Sequence, residues 1–396
     1  MRTAGDTAKP FRTDIVRRIA GAVVSGCLLA LTFSTPSQAS NDEFVVERTY
    51  FRIKIGDRPV RLEGLVIKRS DLTGRLPVAL ITHGKPANLT DMLDSRATDY
   101  AGQARDFARR GWLSVVVMRR GFGQSDGPIP AAMSCESSSF TNLFSADADD
   151  LQGALEVVSK RPDADPDRAI AIGVSAGGAS VVALAARNPK NLRGVISISG
   201  GLRMTNCPKE DALVTSYKEF GLAGRVPSIW IYAKNDSYFG SALVERMQAA
   251  YLDGGGDVKL VMYDKFGNDG HALFSAATGR AQWLMEVDGF LRFLDLPTSK
   301  RDSINELMKL LKMDERNRDF LERYLAAPTH KVMAQTADGK SHATQYGASS
   351  MEIARTAVIE SCREHFKAVE PCKIVMENDT WMAPVPQGQA ARQTEQ

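Results

Sequence analysis

A chain of 396 residues with 43% apolar and 24% charged side chains has the make-up of a soluble globular protein, which excludes collagen-like, low-complexity and disordered classes. The formal net charge is +3, and residues 1–39 carry all of it, with five basic and two acidic side chains. The body beyond residue 39 is therefore neutral and has no basic stripe, which argues against nucleic acid or an anionic lipid surface as a partner.

In residues 1–39, Arg17 and Arg18 precede an apolar run over 19–33 and the small-residue pattern Ser37-Gln38-Ala39, the layout of a secretory signal peptide cleaved after Ala39. An uncleaved membrane anchor is the first alternative, but the run is interrupted by Gly21, Ser25 and Gly26 and falls short of the ~20 residues that span a bilayer. A lipoprotein signal is the second, because Val24-Ser25-Gly26-Cys27 resembles a lipobox, although apolar residues continue past Cys27. The expected mature protein is periplasmic or secreted, with no stable membrane span.

Residues 40–296 read as one catalytic domain. Over 44–69, strands flank the turn Gly56-Asp57, with Val60, Leu62, Gly64 and Val66 on one face and Arg61 and Glu63 on the other, which predicts an antiparallel entry hairpin. Short apolar runs then alternate with helical spacing: strands at 77–82, 113–118, 169–172, 195–199, 229–233 and 258–263, and helices at 97–111, 146–160, 176–188 and 281–294. That rhythm predicts a mostly parallel, doubly wound α/β sheet fed by antiparallel N-terminal strands. The acidic cluster Asp147, Asp149 and Asp150 is expected in the first turn of the helix from 146, where it complements the helix dipole.

Residues 297–302 have linker composition. Beyond them a helical stretch at 303–325, a strand pair at 331–346, a helix at 350–366 and a strand at 373–376 predict a small cysteine-containing α+β module over 303–383, and 384–396 reads as a flexible tail. Export would place Cys135, Cys207, Cys362 and Cys372 where disulfides persist. Nine residues separate Cys362 from Cys372, which favours a local bridge and leaves Cys135 to pair with Cys207; four buried thiols is the alternative for a chain that is not exported.

Gly173-Val174-Ser175-Ala176-Gly177 follows a buried strand and opens a helix, the context of a nucleophile elbow. Gly173 and Gly177 are needed there because a Cβ at either flank of so sharp a turn would collide with its surroundings. A serine nucleophile needs a base. Of the five histidines, His330, His342 and His365 fall in the C-terminal module and His83 precedes the serine, so His271 follows in the required order. Asp236, at the end of the strand before it, is the expected acid, with Asp264 and Asp269 as competitors. The oxyanion donors are expected to be the backbone amides of Ala176 and Lys85, since Pro86 has none, with His83 buttressing its loop.

Together Ile81-Thr82-His83-Gly84, Arg119-Arg120-Gly121-Phe122-Gly123-Gln124-Ser125-Asp126-Gly127, Asp163-Ala164-Asp165-Pro166-Asp167-Arg168 and Asp269-Gly270-His271 resemble α/β-hydrolases of the dienelactone hydrolase and prolyl oligopeptidase-like group, over about residues 44–296. The resemblance implies the α/β-hydrolase fold and supporting roles for Arg120 and Ser125 near the floor of the site. Two departures stand out: dienelactone hydrolases proper use a cysteine where this chain has Ser175, and prolyl oligopeptidases carry a large propeller for which about forty residues leave no room. The reading is a serine hydrolase of small-molecule carboxylic esters, working through an acyl-enzyme without a metal or organic cofactor. A peptidase or amidase is the alternative within the same chemistry, and a binding or adaptor protein on a hydrolase scaffold the alternative outside it.

Overall fold

The computed structural model describes residues 43–130, 134–204, 207, 210–298, 304–327, 330–367, 371–378 and 380–382. The expected signal peptide, including Cys27, and the expected tail lie outside them. Strands β1 (Phe44–Ile55) and β2 (Arg58–Arg69) pair antiparallel along their whole length, and Gly56 turns the corner at φ +58°. A two-residue hairpin loop needs that left-handed conformation, which glycine adopts without strain. Then follow β3 (Leu76–Thr82), α1 (Leu89–Asp94), α2 (Ala101–Arg109), β4 (Leu113–Val117), α3 (Ser137–Val158), β5 (Ala164–Val174), α4 (Ala176–Ala185), β6 (Leu192–Ile198), α5 (Asp211–Ala223), β7 (Ser228–Ala233), α6 (Ser241–Asp253), β8 (Val258–Tyr263) and α7 (Ala277–Phe293).

The strand order is β1-β2-β4-β3-β5-β6-β7-β8, with β1 and β2 antiparallel and every pairing from β4 to β8 parallel. This is the mostly parallel sheet with an antiparallel entry that the sequence predicts. Every residue of β3, β4 and β7 is buried, as expected for strands covered on both faces. One face packs against α3, α4, α5 and α6 and the other against α2 and α7, so two apolar cores sandwich the sheet.

Two differences from expectation bear on the site. Helix α3 begins at Ser137 rather than at 146, so Asp147, Asp149 and Asp150 sit well inside it and do not cap its first turn. The serine-rich run 137–139 looks like turn chemistry, yet buried Phe140, Leu143 and Phe144 extend the apolar face of the helix backward, and packing overrides local preference. The sequence reading places no helix between the strands at 195–199 and 229–233, yet residues from Asp211 onward form α5, with Leu213, Tyr217 and Phe220 turned inward.

The C-terminal residues form α8 (Ile304–Leu310), α9 (Arg318–Ala326), β9 (Val332–Gln335), β10 (His342–Gln345), α10 (Met351–Phe366), β11 (Lys373–Glu377) and β12 (Thr380–Trp381), with an antiparallel sheet in the order β10-β9-β11-β12. The helical stretch expected from 303 breaks into two because Lys312 takes φ +55° and Asp314 caps a new turn. Both expected disulfides are present, Cys135–Cys207 and Cys362–Cys372.

Candidate active site

Ser175 stands between the last residue of β5 and the first of α4, at φ +53° and ψ −126°. A non-glycine residue holds that conformation only where its surroundings over-determine it. Here the Ser175 N–H donates to the Ile198 carbonyl at 3.1 Å, and the Ser175 carbonyl accepts from Gly201 N–H at 3.0 Å and Ala179 N–H at 3.2 Å. The flanking glycines leave no space for a side chain: a Cβ on Gly173 would lie 2.1 Å from the Gly177 carbonyl oxygen, and one on Gly177 would lie 2.2 Å from that of His83. Gly84 faces the serine, for a Cβ there would stand 3.2 Å from Ser175 Cβ and 3.8 Å from its Oγ. The loop after β3, with Gly84 and Lys85, thus meets the elbow where Ala176 opens α4, and the first amides of a helix have no carbonyl partner within it.

Asp236 follows β7, its N–H tied to the Ala233 carbonyl at 3.0 Å. Its buried carboxylate accepts from the amides of Tyr238 at 2.9 Å and Phe239 at 3.1 Å, and both its oxygens lie 3.1 Å from His271 Nδ1. With Nδ1 engaged, Nε2 is the nitrogen left for chemistry. The Tyr238 ring packs on the imidazole at 4.5 Å between centroids and Phe239 at 5.7 Å. The two competing carboxylates are occupied elsewhere. Asp269 accepts from the backbone amide of His271 at 2.9 Å and from Ser237 Oγ at 2.7 Å; burial pushes its pKa up, but these bonds outweigh it and hold the carboxyl below the usual range. Asp264 is solvent-exposed and pairs with Lys234.

His83 is buried with both ring nitrogens committed. Nε2 accepts the Arg119 N–H at 2.9 Å, so Nδ1 carries the proton and donates it to the Gly84 carbonyl at 2.6 Å. Burial, and then the charge of Arg119, push its pKa well below 6.5 against the pull of that carbonyl, so the ring is neutral and fixes the Gly84 loop.

Arg119 itself escaped sequence reading. Its guanidinium is buried beneath the elbow, donates to Thr82 Oγ1 at 2.8 Å and to the His83 carbonyl at 2.6 Å, and lies 3.1 Å from an Asp147 carboxylate oxygen that also accepts from Ser180 Oγ. Arg120 instead turns to α3, where it pairs with Asp150 at 2.7 Å and donates to the Ala146 carbonyl. Burial pushes Asp150 up to about 6, with the Arg120 amide and charge opposing. Ser125 ties its loop to the sheet, donating to the Met118 carbonyl and accepting from Glu63 N–H. The available signal was the pair Arg119-Arg120 set against Asp147 and Asp150, three apart and hence on one helix face. Tyr100 was missed as well: burial raises its pKa, opposed by the Gly84 backbone and the charge of Arg119. Lys85 is half-buried; burial lowers its pKa, aided by Arg119 and opposed by Asp147.

A cavity of about 410 Å³ lies against Tyr238 and Phe239, the two rings that pack on His271. Tyr238 and Phe239 form the wall toward the histidine, Leu202 and Met204 the wall after β6, and Cys207 and Phe140 carry that wall to the two segments joined by the disulfide. Among the described residues no helix is long and apolar enough to cross a membrane.

The sequence profile of the serine aminopeptidase S33 family matches residues 93–253. A curated relative, "Putative esterase NocK" of Nocardia uniformis subsp. tsuyamanensis, is 32% identical over 126 residues, which span 32% of this chain and 33% of the relative. Among solved structures, the acylaminoacyl peptidase of Pyrococcus horikoshii aligns with a TM-score of 0.46 at 18% identity, over 65% of this chain and 43% of that one. The Pyrococcus furiosus esterase Pf2001 aligns with a TM-score of 0.44 at 15% identity, over 62% and 92%.

Proposed function

The chain belongs to the α/β-hydrolase superfamily, and from that membership we propose that it is an exported serine hydrolase that cleaves carboxylic esters through an acyl-enzyme. The observation that carries the reading is the Asp236–His271 pair, with Nδ1 held by the carboxylate and Nε2 left free, on the same sheet edge as a serine lifted on a strained elbow. Ser175 Oγ gives its proton to His271 Nε2 and bonds to the ester carbonyl carbon. The amides of Ala176 and Lys85 receive the oxyanion. The carbon–oxygen bond to the alcohol then breaks, His271 returns the proton to the departing oxygen, and water repeats the sequence to release the acid and restore Ser175. Asp236 holds the tautomer and offsets the imidazolium charge without taking the proton.

Export is supported by the two disulfides, which persist in oxidising compartments, together with the expected signal peptide. The esterase named among the relatives favours esters over amides, and the 33% share of that relative makes substrate class a matter for measurement. Steady-state assay of the mature protein on short aryl esters and on dipeptidyl-proline amides tests the choice. A kcat/KM for the amide equal to or above that for the ester would make the chain a peptidase.

A further inference from the structure

We propose that Tyr232 is a positioning residue of the acyl-transfer site, its hydroxyl clamping a Gly200-Gly201 turn that sets the spacing of Ser175 from the Asp236–His271 pair; this rests on the acyl-enzyme reading above. The nucleophile and the base arrive on different elements. Ser175 follows β5, whereas Asp236 and His271 follow β7 and β8, and β6 lies between β5 and β7 in the sheet. The segment that leaves the end of β6 therefore stands between the two halves of the site.

That segment is Ser199-Gly200-Gly201. On the nucleophile side, Gly201 N–H donates to the Ser175 carbonyl at 3.0 Å, and the Ile198 carbonyl just before the turn accepts the Ser175 N–H at 3.1 Å. On the other side, Ser199 N–H donates to the Ile231 carbonyl at 2.9 Å, and Gly201 comes so close to Phe239 that a Cβ on it would lie 2.6 Å from the ring. Phe239 packs on the His271 imidazole and gives its amide to the Asp236 carboxylate at 3.1 Å. A shift of the turn thus moves the serine and the imidazole relative to one another.

The turn is fastened from beneath. Tyr232 is wholly buried in β7, the strand that leads into Asp236, and its hydroxyl donates to the buried Gly200 carbonyl at 2.6 Å. Among the described residues no backbone amide donates to that carbonyl, and the neighbouring hydroxyls of Ser197 and Ser199 are buried without a hydrogen-bond partner. Burial, and then the neighbouring Tyr217, push the phenol pKa far above its ordinary value, so the hydroxyl keeps its proton and stays a donor. Removing it leaves a buried carbonyl unsatisfied, which favours movement of the turn toward a new partner.

Tyr232→Phe keeps the ring and removes only the hydroxyl. Rates are read on folded protein with urea midpoints taken alongside. Tyr251→Phe is the control, because its hydroxyl is buried in the same core but beside Gly224 rather than at the turn. Tyr232→Phe is expected to slow both fluorophosphonate inactivation and kcat for phenyl acetate about tenfold to a hundredfold, with KM within about twofold, as a displaced reacting group does. Tyr251→Phe keeps the wild-type rates. Folded Tyr232→Phe that reacts at the wild-type rate, whatever its midpoint, would overturn the proposal, as would a loss confined to KM or an equal slowing in Tyr251→Phe. If Tyr232→Phe does not fold, Phe239→Leu loosens the same brace at the Gly201 contact, and wild-type inactivation there overturns the proposal too. Wild-type protein that turns over no ester and takes no fluorophosphonate label would instead overturn the acyl-enzyme reading, and the proposal with it.

Discussion

At the scale of single residues, two histidines of this chain have surroundings that differ in kind. His271 has one nitrogen against a carboxylate and the other free, whereas His83 has one nitrogen filled by the Arg119 amide and the other bonded to the Gly84 carbonyl. Asp236→Asn should therefore lower kcat by about 10⁴ on an aryl ester, because an amide can hold the wrong imidazole tautomer. A loss of tenfold or less would remove Asp236 from the acid role. His83 should show itself in stability instead. Its folded pKa lies well below the unfolded value of about 6.5, so the unfolded chain gains a proton that the native ring refuses, and stability falls as pH drops through and below 6.5. The contribution approaches about 1.4 kcal/mol per pH unit. Urea midpoints at pH 7.5 and 5.5 for wild type and His83→Gln measure it, and an equally steep pH dependence in the variant would show that His83 is not its source.

At the scale of elements, the site is held from below by α3. Two of its carboxylates, Asp147 and Asp150, meet Arg119 and Arg120 from the loop after β4, and Arg119 in turn anchors the His83 carbonyl against which Gly177 packs. Asp147→Ala would leave the buried Arg119 guanidinium without its carboxylate, at an expected cost of about 3–5 kcal/mol in denaturant unfolding. A change under about 1 kcal/mol, the range of an exposed pair, would contradict that role. This part of the structure is also where sequence reading ran out. The parallel sheet was legible because β3 and β4 are continuous apolar runs, and the elbow because Gly173, Ser175 and Gly177 follow such a run. The start of α3 was not, since Ser137, Ser138 and Ser139 have turn chemistry and only their packing partners make them helical. Arg119 and Arg120 stand side by side in one motif, and nothing local says which of them turns beneath the serine. Asp236 was separable from Asp264 and Asp269 only by place in the chain, whereas the fold separates them by hydrogen bonding.

At the scale of the whole molecule, the disulfide Cys135–Cys207 links positions 72 residues apart, and Cys207 lines the cavity that Tyr238 and Phe239 border. Its removal in Cys135→Ser/Cys207→Ser should cost about 4 kcal/mol by loop-closure entropy, and should raise KM for 2-naphthyl acetate more than it lowers kcat. Unaltered KM with lowered stability would confine the bridge to a structural role. The proposal that Ser175 is the nucleophile of an acyl-transfer site is tested by fluorophosphonate labelling of the folded protein followed by peptide mapping. One adduct is expected, on the peptide holding Gly173-Val174-Ser175-Ala176-Gly177, lost in Ser175→Ala while the variant keeps the wild-type unfolding midpoint. Label on another residue, or undiminished labelling of folded Ser175→Ala, would contradict it.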